Sequence, residues 1–213
     1  MQGYFVTGTD TGVGKTFTSA ALASRARVLG KRVFAFKPIE TGCQPPEGED
    51  QRILSTAAGD WQTGALRGLY QLSQPVAPLV AAEAEHRVID LDLIDVTIRE
   101  SAPHADLVIV EGAGGWRVPI TPTIDMAAFA RRLGLPVIVV ARATLGTINH
   151  SLLTLEAVER DGCSVAALVL SRHPSDDPDF TASNAHEIGR RWKGQIITLA
   201  EDASVLDRLF AQA

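Results

Sequence analysis

Gly8-Thr9-Asp10-Thr11-Gly12-Val13-Gly14-Lys15-Thr16 decides how this chain is read. The apolar run Tyr4-Phe5-Val6 before it has the character of a buried strand. The alanine-rich amphipathic run Phe17–Leu29 after it predicts a helix. A glycine-rich turn between a strand and a helix start aims backbone N–H groups, and the positive end of the helix dipole, at one point. An anion belongs there. Lys15 adds a mobile charge for the outer phosphates of a nucleotide, and the Thr16 hydroxyl can ligate a metal ion bridging them. Thr9 stands where a standard phosphate loop has its first glycine, and Gly8 lies one residue earlier, so this loop is one residue longer than usual. A dinucleotide-binding turn is disfavoured on two counts. Phe17 stands where a small residue is needed, and the next strand ends in Lys37-Pro38 rather than in an acid for ribose hydroxyls.

Outward from the loop, strand and helix patterns alternate. Strands are expected at Gly3–Thr7, Arg32–Lys37, Leu107–Val110, Val137–Val140, Val165–Leu170 and Gln195–Leu199. Helices are expected at Phe17–Leu29, Gln51–Ala58, Leu91–Ser101, Met126–Leu133, Ser151–Arg160, Phe180–Trp192 and Ser204–Phe210. The strand runs are continuous and β-branched rather than alternating, which suits a parallel sheet covered on both faces. The fold class is therefore α/β, a doubly wound, mainly parallel sheet with helices on both faces, like that of phosphate-loop NTPases. At 213 residues the chain reads as a single domain over 1–213, long enough to bury roughly 70% of its unfolded surface.

A net charge of −5 argues against a nucleic-acid groove. No segment has the apolar length of a membrane span, and the N-terminus has no charged-then-apolar leader pattern. Cys43 and Cys163 are far apart and lack metal-ligand spacing, so they read as reduced thiols of a cytoplasmic protein.

Ligands of doubly wound sheets bind beyond the carboxyl ends of the strands. The second strand ends in Lys37-Pro38-Ile39-Glu40-Thr41-Gly42, where proline stops the ladder and Lys37 projects toward the phosphate loop. A loop, 43–50, follows. Asp50 at its end either favours the next helix through the dipole or binds a metal, and spacing alone does not choose. The stretch 73–85, with Pro75 and Pro78, is open to core packing or to a substrate wall. The third strand runs into Glu111-Gly112-Ala113-Gly114-Gly115-Trp116, placing an acid and close-approaching backbone in the same cleft as Thr16. The fourth leads through Leu145-Gly146-Thr147-Ile148-Asn149-His150 to a helix, with Asn149 or Thr147 as N-cap. The fifth ends at Ser171 and an acidic stretch, Asp176–Asp179, that reads as a solvated loop. His86 and His104 read as surface positions.

Taken together, the long phosphate loop, Lys37-Pro38, the Glu-Gly-Ala-Gly-Gly string and the Leu145–His150 stretch resemble the dethiobiotin synthetase family over about Gly3–Leu170. The resemblance implies an enzyme that closes a cyclic urea from diaminopelargonic acid, carbon dioxide and ATP, with magnesium, as a homodimer. It implies that Lys15 and Lys37 hold carbamate and γ-phosphate oxygens, and that Thr16, Asp50 and Glu111 bind magnesium. It implies that Thr11 and Thr41 contact the reacting groups, with Lys37, Lys15 and Thr11 as the catalytic set. Gly12, Val13, Gly14, Lys15, Thr16, Phe17, Glu111 and Ser171 then line the nucleotide. Gly146 and Asn149 receive the substrate carboxylate from across the subunit interface. This chain departs from the family pattern where Gly12 replaces a frequent Glu and where Ser171 replaces an Asn that reads adenine. The Gly-x-Ile-Pro string after the sixth strand is also missing. A looser choice of base follows as an expectation.

The main rival is a partitioning or cell-division-site ATPase that switches partners. Those commonly carry a second lysine early in the loop, where this chain has Asp10. A synthetase that amidates cobyrinic acid would need a glutamine-handling domain, for which this length leaves no room. A non-enzymatic nucleotide sensor leaves Lys37 and Glu111 unexplained.

Overall fold

Strands apolar at every position must be covered on both faces, and here they are. The computed structural model describes residues 2–44 and 46–210; residue 1, Pro45 of the 43–50 loop, and residues 211–213 lie outside it. The strands are β1 (Gly3–Gly8), β2 (Val33–Phe36), β3 (Ile39–Thr41), β4 (Tyr70–Leu72), β5 (Leu107–Gly115), β6 (Val137–Arg142), β7 (Val165–Ser171) and β8 (Ile196–Leu199). Six form one sheet in the order β2-β5-β1-β6-β7-β8, and every pairing in it is parallel. Side chains alternate between two cores, as the two-residue period of a strand requires. In β1, Tyr4 and Val6 enter one core and Phe5 the other.

Helices α1 (Lys15–Val28), α2 (Glu49–Ala57), α3 (Pro78–Ala84), α4 (Leu91–Ser101), α5 (Met126–Leu133), α6 (Thr147–Arg160) and α7 (Pro178–Arg191) divide between the faces. Leu22 of α1 and Leu54 of α2 share the core with Tyr4 and Val6. Ile94, Phe129, Leu155 and Ile188, from α4 to α7, share the core with Phe5. There Phe5 meets Phe129 edge-on at 5.8 Å and Trp116 at 6.5 Å, geometry that suits the ring quadrupoles.

The structure corrects the sequence reading in five places. β5 does not stop at Val110 but continues through the glycines, with an irregularity between the Val6–Glu111 and Gly8–Gly115 pairings. Ile39–Thr41 is not a turn but a strand, paired in parallel with Tyr70–Leu72 as a small second sheet. α6 begins a turn early: its N-cap is Gly146 in the left-handed region, not Thr147 or Asn149. The acidic stretch is solvent-exposed at Asp177 and Asp179, as expected, but it is not all loop: Asp177 is the α7 N-cap, accepting from the Asp179 N–H, with Pro178 in the first turn. The segment Ala203–Leu209 is a 3-10 helix. His86 and His104 are exposed, as expected.

Candidate active site

The phosphate loop joins β1 to α1 at the middle of the sheet, where the strand order departs in both directions, the position at which such sheets bind ligands. Its backbone needs glycine. Gly12 and Gly14 have φ of +73° and +96°, and a Cβ on Gly14 would lie 2.3 Å from the Ser171 Oγ. Gly14 is also the N-cap of α1 and has no side chain to satisfy the helix N–H groups, so those donors remain for an anion.

Two clefts open on either side of the loop. The larger, about 580 Å³, lies on the β2–β5 side and brings together Thr11, Lys15, Thr16, Lys37, Thr41 and Asp50. Pro75, Val76 and Pro78 form part of its wall, while Ala81 and Ala82 of the same stretch pack into the core. The smaller, about 390 Å³, lies on the β6–β7 side against Val13, Phe17 and Ser171, with Arg142 and His173 at its edge. Gly12, Gly14 and Phe17 border both.

Glu111 lies beneath the larger cleft and is fully buried. Its Oε1 accepts a hydrogen bond from the Thr16 hydroxyl at 2.8 Å and from the Lys37 ammonium at 3.0 Å. The same ammonium donates to an Asp50 carboxylate oxygen. Thr16 in the first turn of α1, Lys37 just after β2, Asp50 of α2 and Glu111 of β5 thus converge at one point. Burial pushes the Lys37 ammonium down, but the charges and hydrogen bonds of Glu111 and Asp50 outweigh it and hold the group above its usual range. Lys15 goes the other way. Burial and the neighbouring Lys37 charge lower it, against the attraction of Glu111 and Asp50. Its ammonium rests on the Asp10 carbonyl at 3.1 Å. Glu111 and Asp50 offset the two ammonium charges. The call for an anion therefore comes from the unsatisfied N–H groups at the start of α1, with Lys15, which has no carboxylate partner within ion-pair distance among the described residues, beside them.

The donor set suits magnesium. It is all hard oxygen, a hydroxyl and two carboxylates, and magnesium commonly takes one or two carboxylates plus phosphate oxygens and water. Among the described residues no cluster of three or more His, Cys, Asp or Glu forms a full cage. Glu111 Oε2 is buried and finds no hydrogen-bond partner among the described residues, an arrangement that costs free energy unless another group satisfies it.

Gly146 and Asn149 stand apart. They lie at the exposed start of α6 and border neither cleft. Sequence reasoning passed over Glu40 and Gln51, which are buried behind Lys37 and Asp50 and bond to their backbones. The available signal was an acid inside the β-branched run Ile39-Glu40-Thr41 directly after the lysine.

Comparison with known proteins bears on the family and the fold. A family model described as an AAA domain matches residues 2–204. The chain is similar to the ATP-dependent dethiobiotin synthetase BioD of Anaeromyxobacter dehalogenans strain 2CP-C, 45% identical over 191 residues, covering 89% of this chain and 85% of that protein. The enzyme of the same name from Anaeromyxobacter sp. strain Fw109-5 is 40% identical over 190 residues, with the same coverage. Among solved structures, the septum site-determining protein MinD of Pyrococcus horikoshii OT3, complexed with Mg-ADP, superposes with a TM-score of 0.58 at 14% identity, covering 99% of this chain and 85% of that one. The MinC:MinD cell division complex of Aquifex aeolicus gives 0.57 at 15% identity, covering 98% and 85%. At such identities the cell-division likeness carries the fold alone.

Proposed function

The chain belongs to the dethiobiotin synthetase family and is an ATP-dependent ligase making dethiobiotin, and from that premise we propose how its two clefts divide the reaction. The nucleoside occupies the β6–β7 cleft, with Phe17 and Ser171 beside it. The phosphates rest on the loop from Gly12 to Thr16, and the diamine lies in the β2–β5 cleft. The observation that carries this is the placement of Lys15 and Lys37 at one cleft above Glu111.

There one substrate amine captures carbon dioxide as a carbamate. A carbamate oxygen attacks the γ-phosphorus and ADP leaves, giving a carbamic-phosphoric anhydride. The second amine attacks its carbonyl, phosphate departs and the urea ring closes. Each step gathers negative charge on oxygen, so fixed donors and positioning supply the catalysis. Lys37, held charged by Glu111 and Asp50, neutralises the carbamate and the oxygens of the transferring phosphoryl group. Lys15 follows the γ-phosphate, and the Thr11 and Thr41 hydroxyls orient the reacting groups. Thr16, Asp50 and Glu111 would hold magnesium, which when bound supplies charge neutralisation to the nucleotide phosphates.

We read 1–213 as one synthetase domain working as a homodimer in the cytoplasm on small molecules, without nucleic acid or membrane partners. Support for the dimer comes from the start of α6, where Leu145 and Leu153 are 90% and 58% exposed. Leu153 lies four residues after Asn149 on the same face of the helix, and Leu145 stands just before the N-cap. The Thr147 N–H donates to the Thr144 carbonyl at 3.1 Å, and with no side-chain cap at Gly146 the next N–H groups of the first turn remain to take the substrate carboxylate of a partner subunit. Among the described residues no helix is long and apolar enough to cross a membrane.

Incubation with diaminopelargonic acid, bicarbonate, magnesium and ATP should yield dethiobiotin by mass, together with ADP and phosphate; ATP consumed without that product would overturn the assignment. Ser171 offers one small hydroxyl to the base, so kcat/KM for CTP and GTP should fall within about tenfold of that for ATP, since one neutral hydrogen bond is worth roughly 1 kcal/mol. A preference for ATP far beyond that would refute loose base choice.

A further inference from the structure

Behind the Lys37–Asp50 pair lies a second layer of buried polar groups. Glu40, on β3, is 5% exposed. Its Oε1 accepts from the Asp50 N–H at 3.1 Å and its Oε2 from the Gln51 N–H at 3.0 Å. These are the second- and third-position donors of α2, the pair an N-cap side chain normally satisfies. The N-cap itself is Gly48, which has no side chain to offer. A Cβ there would lie 2.0 Å from Glu40 Oε2, so glycine at 48 is what admits the carboxylate. Glu40 therefore caps the helix from another element, and its negative charge sits at the positive end of the helix dipole.

Gln51 carries the hold across to the lysine. It is 1% exposed. Its Nε2 donates to the Lys37 carbonyl at 3.0 Å and to the Tyr70 carbonyl at 3.4 Å, while its Oε1 accepts from Gln71 Nε2 at 2.7 Å. Here too a glycine makes room: a Cβ on Gly68 would lie 1.9 Å from Gln51 Nε2. The backbones bearing Asp50 and Lys37 are thus tied to one another through two buried side chains, neither of which borders the larger cleft. This also accounts for the small second sheet. β3 supplies Glu40, and its partner β4 supplies the Tyr70 carbonyl and Gln71.

We propose that Glu40 is a positioning residue which, together with Gln51, sets the Asp50 carboxylate against Lys37 and so tunes magnesium capture in the loaded site. The inference rests on the assignment of Asp50 to the metal given above. Two acceptor oxygens are needed, one for each N–H, and a carboxylate provides both. Glutamine at the same length provides one acceptor and turns an NH₂ toward the other N–H.

The test is Glu40→Gln in the full chain, with Asp50→Asn and the double variant alongside. Magnesium is titrated by calorimetry into protein saturated with a non-hydrolysable ATP analogue, and in parallel in the turnover assay. Outer-shell partners of metal ligands are typically worth about 10–100-fold. The expected result is a rise of that size in the magnesium half-saturation of Glu40→Gln, with magnesium-free analogue binding unchanged. The double variant should be no worse than Asp50→Asn alone, because one residue acts through the other. Gly48→Ala, which displaces the Glu40 carboxylate by steric conflict, should reproduce the magnesium defect. It provides the reading if Glu40→Gln folds poorly. Unmoved magnesium half-saturation, or losses that add in the double variant, would overturn the proposal. The calorimetric arm does not depend on the product formed, so a wild-type protein that failed to make dethiobiotin would sink the reaction assignment and leave this test standing.

Discussion

Lys37→Ala is expected to lower dethiobiotin turnover by about 10²–10³-fold, the usual effect of deleting one preorganised charge-stabilising donor. Magnesium-free nucleotide binding should change little. On the proposed reading the phosphates are held by loop N–H groups and Lys15, and Lys37 reaches the cleft from the end of β2, two strands away from β1 in the sheet. The variant leaves Asp50 and Glu111 facing the same space with no ammonium between them. It therefore loses the charge that the carbamate needs and gains repulsion against it. Stability should fall as well, because removing one partner of a buried ion pair costs about 3–5 kcal/mol, and Glu111 is fully buried. Turnover and nucleotide binding are therefore compared well below both melting temperatures. Normal turnover in a folded variant would remove Lys37 from the mechanism.

Glu111→Gln should raise the magnesium half-saturation of turnover by at least the roughly 10–100-fold that even an outer-shell partner is worth. The amide keeps the shape and can still accept from the Thr16 hydroxyl, whose bond to Oε1 is 2.8 Å. What it loses is charge, both toward the metal and toward Lys37, which Glu111 helps to keep above its usual range. Excess magnesium should restore part of the rate, and the restoration curve is the measurement. Magnesium dependence identical to wild type would take Glu111 out of metal binding and leave it as a partner for Lys37 alone.

The large sheet could be read from sequence because strands covered on both faces are apolar throughout, as in Val137–Val140 and Leu107–Val110, where every position is buried. The phosphate loop was legible for a related reason, since its function fixes glycines and a lysine at close spacing. The site's second layer was not legible. β3 and β4 are three residues each and pair across some thirty intervening positions, so no local periodicity announces them. Glu40 caps a helix that begins nine residues later, and a cap delivered from a neighbouring strand leaves no mark at the helix start except a bare glycine. The same applied at α6, where the missing side chain at Gly146 led to a start placed one turn late.

The position of β1 between β5 and β6 has a kinetic consequence. The phosphate loop stands as a partition with a separate opening on each flank, so on the proposed division of the reaction spent nucleotide and finished ring acid have different doors to leave by. Under that division neither product need wait for the other, and nothing in the layout imposes an order on their release.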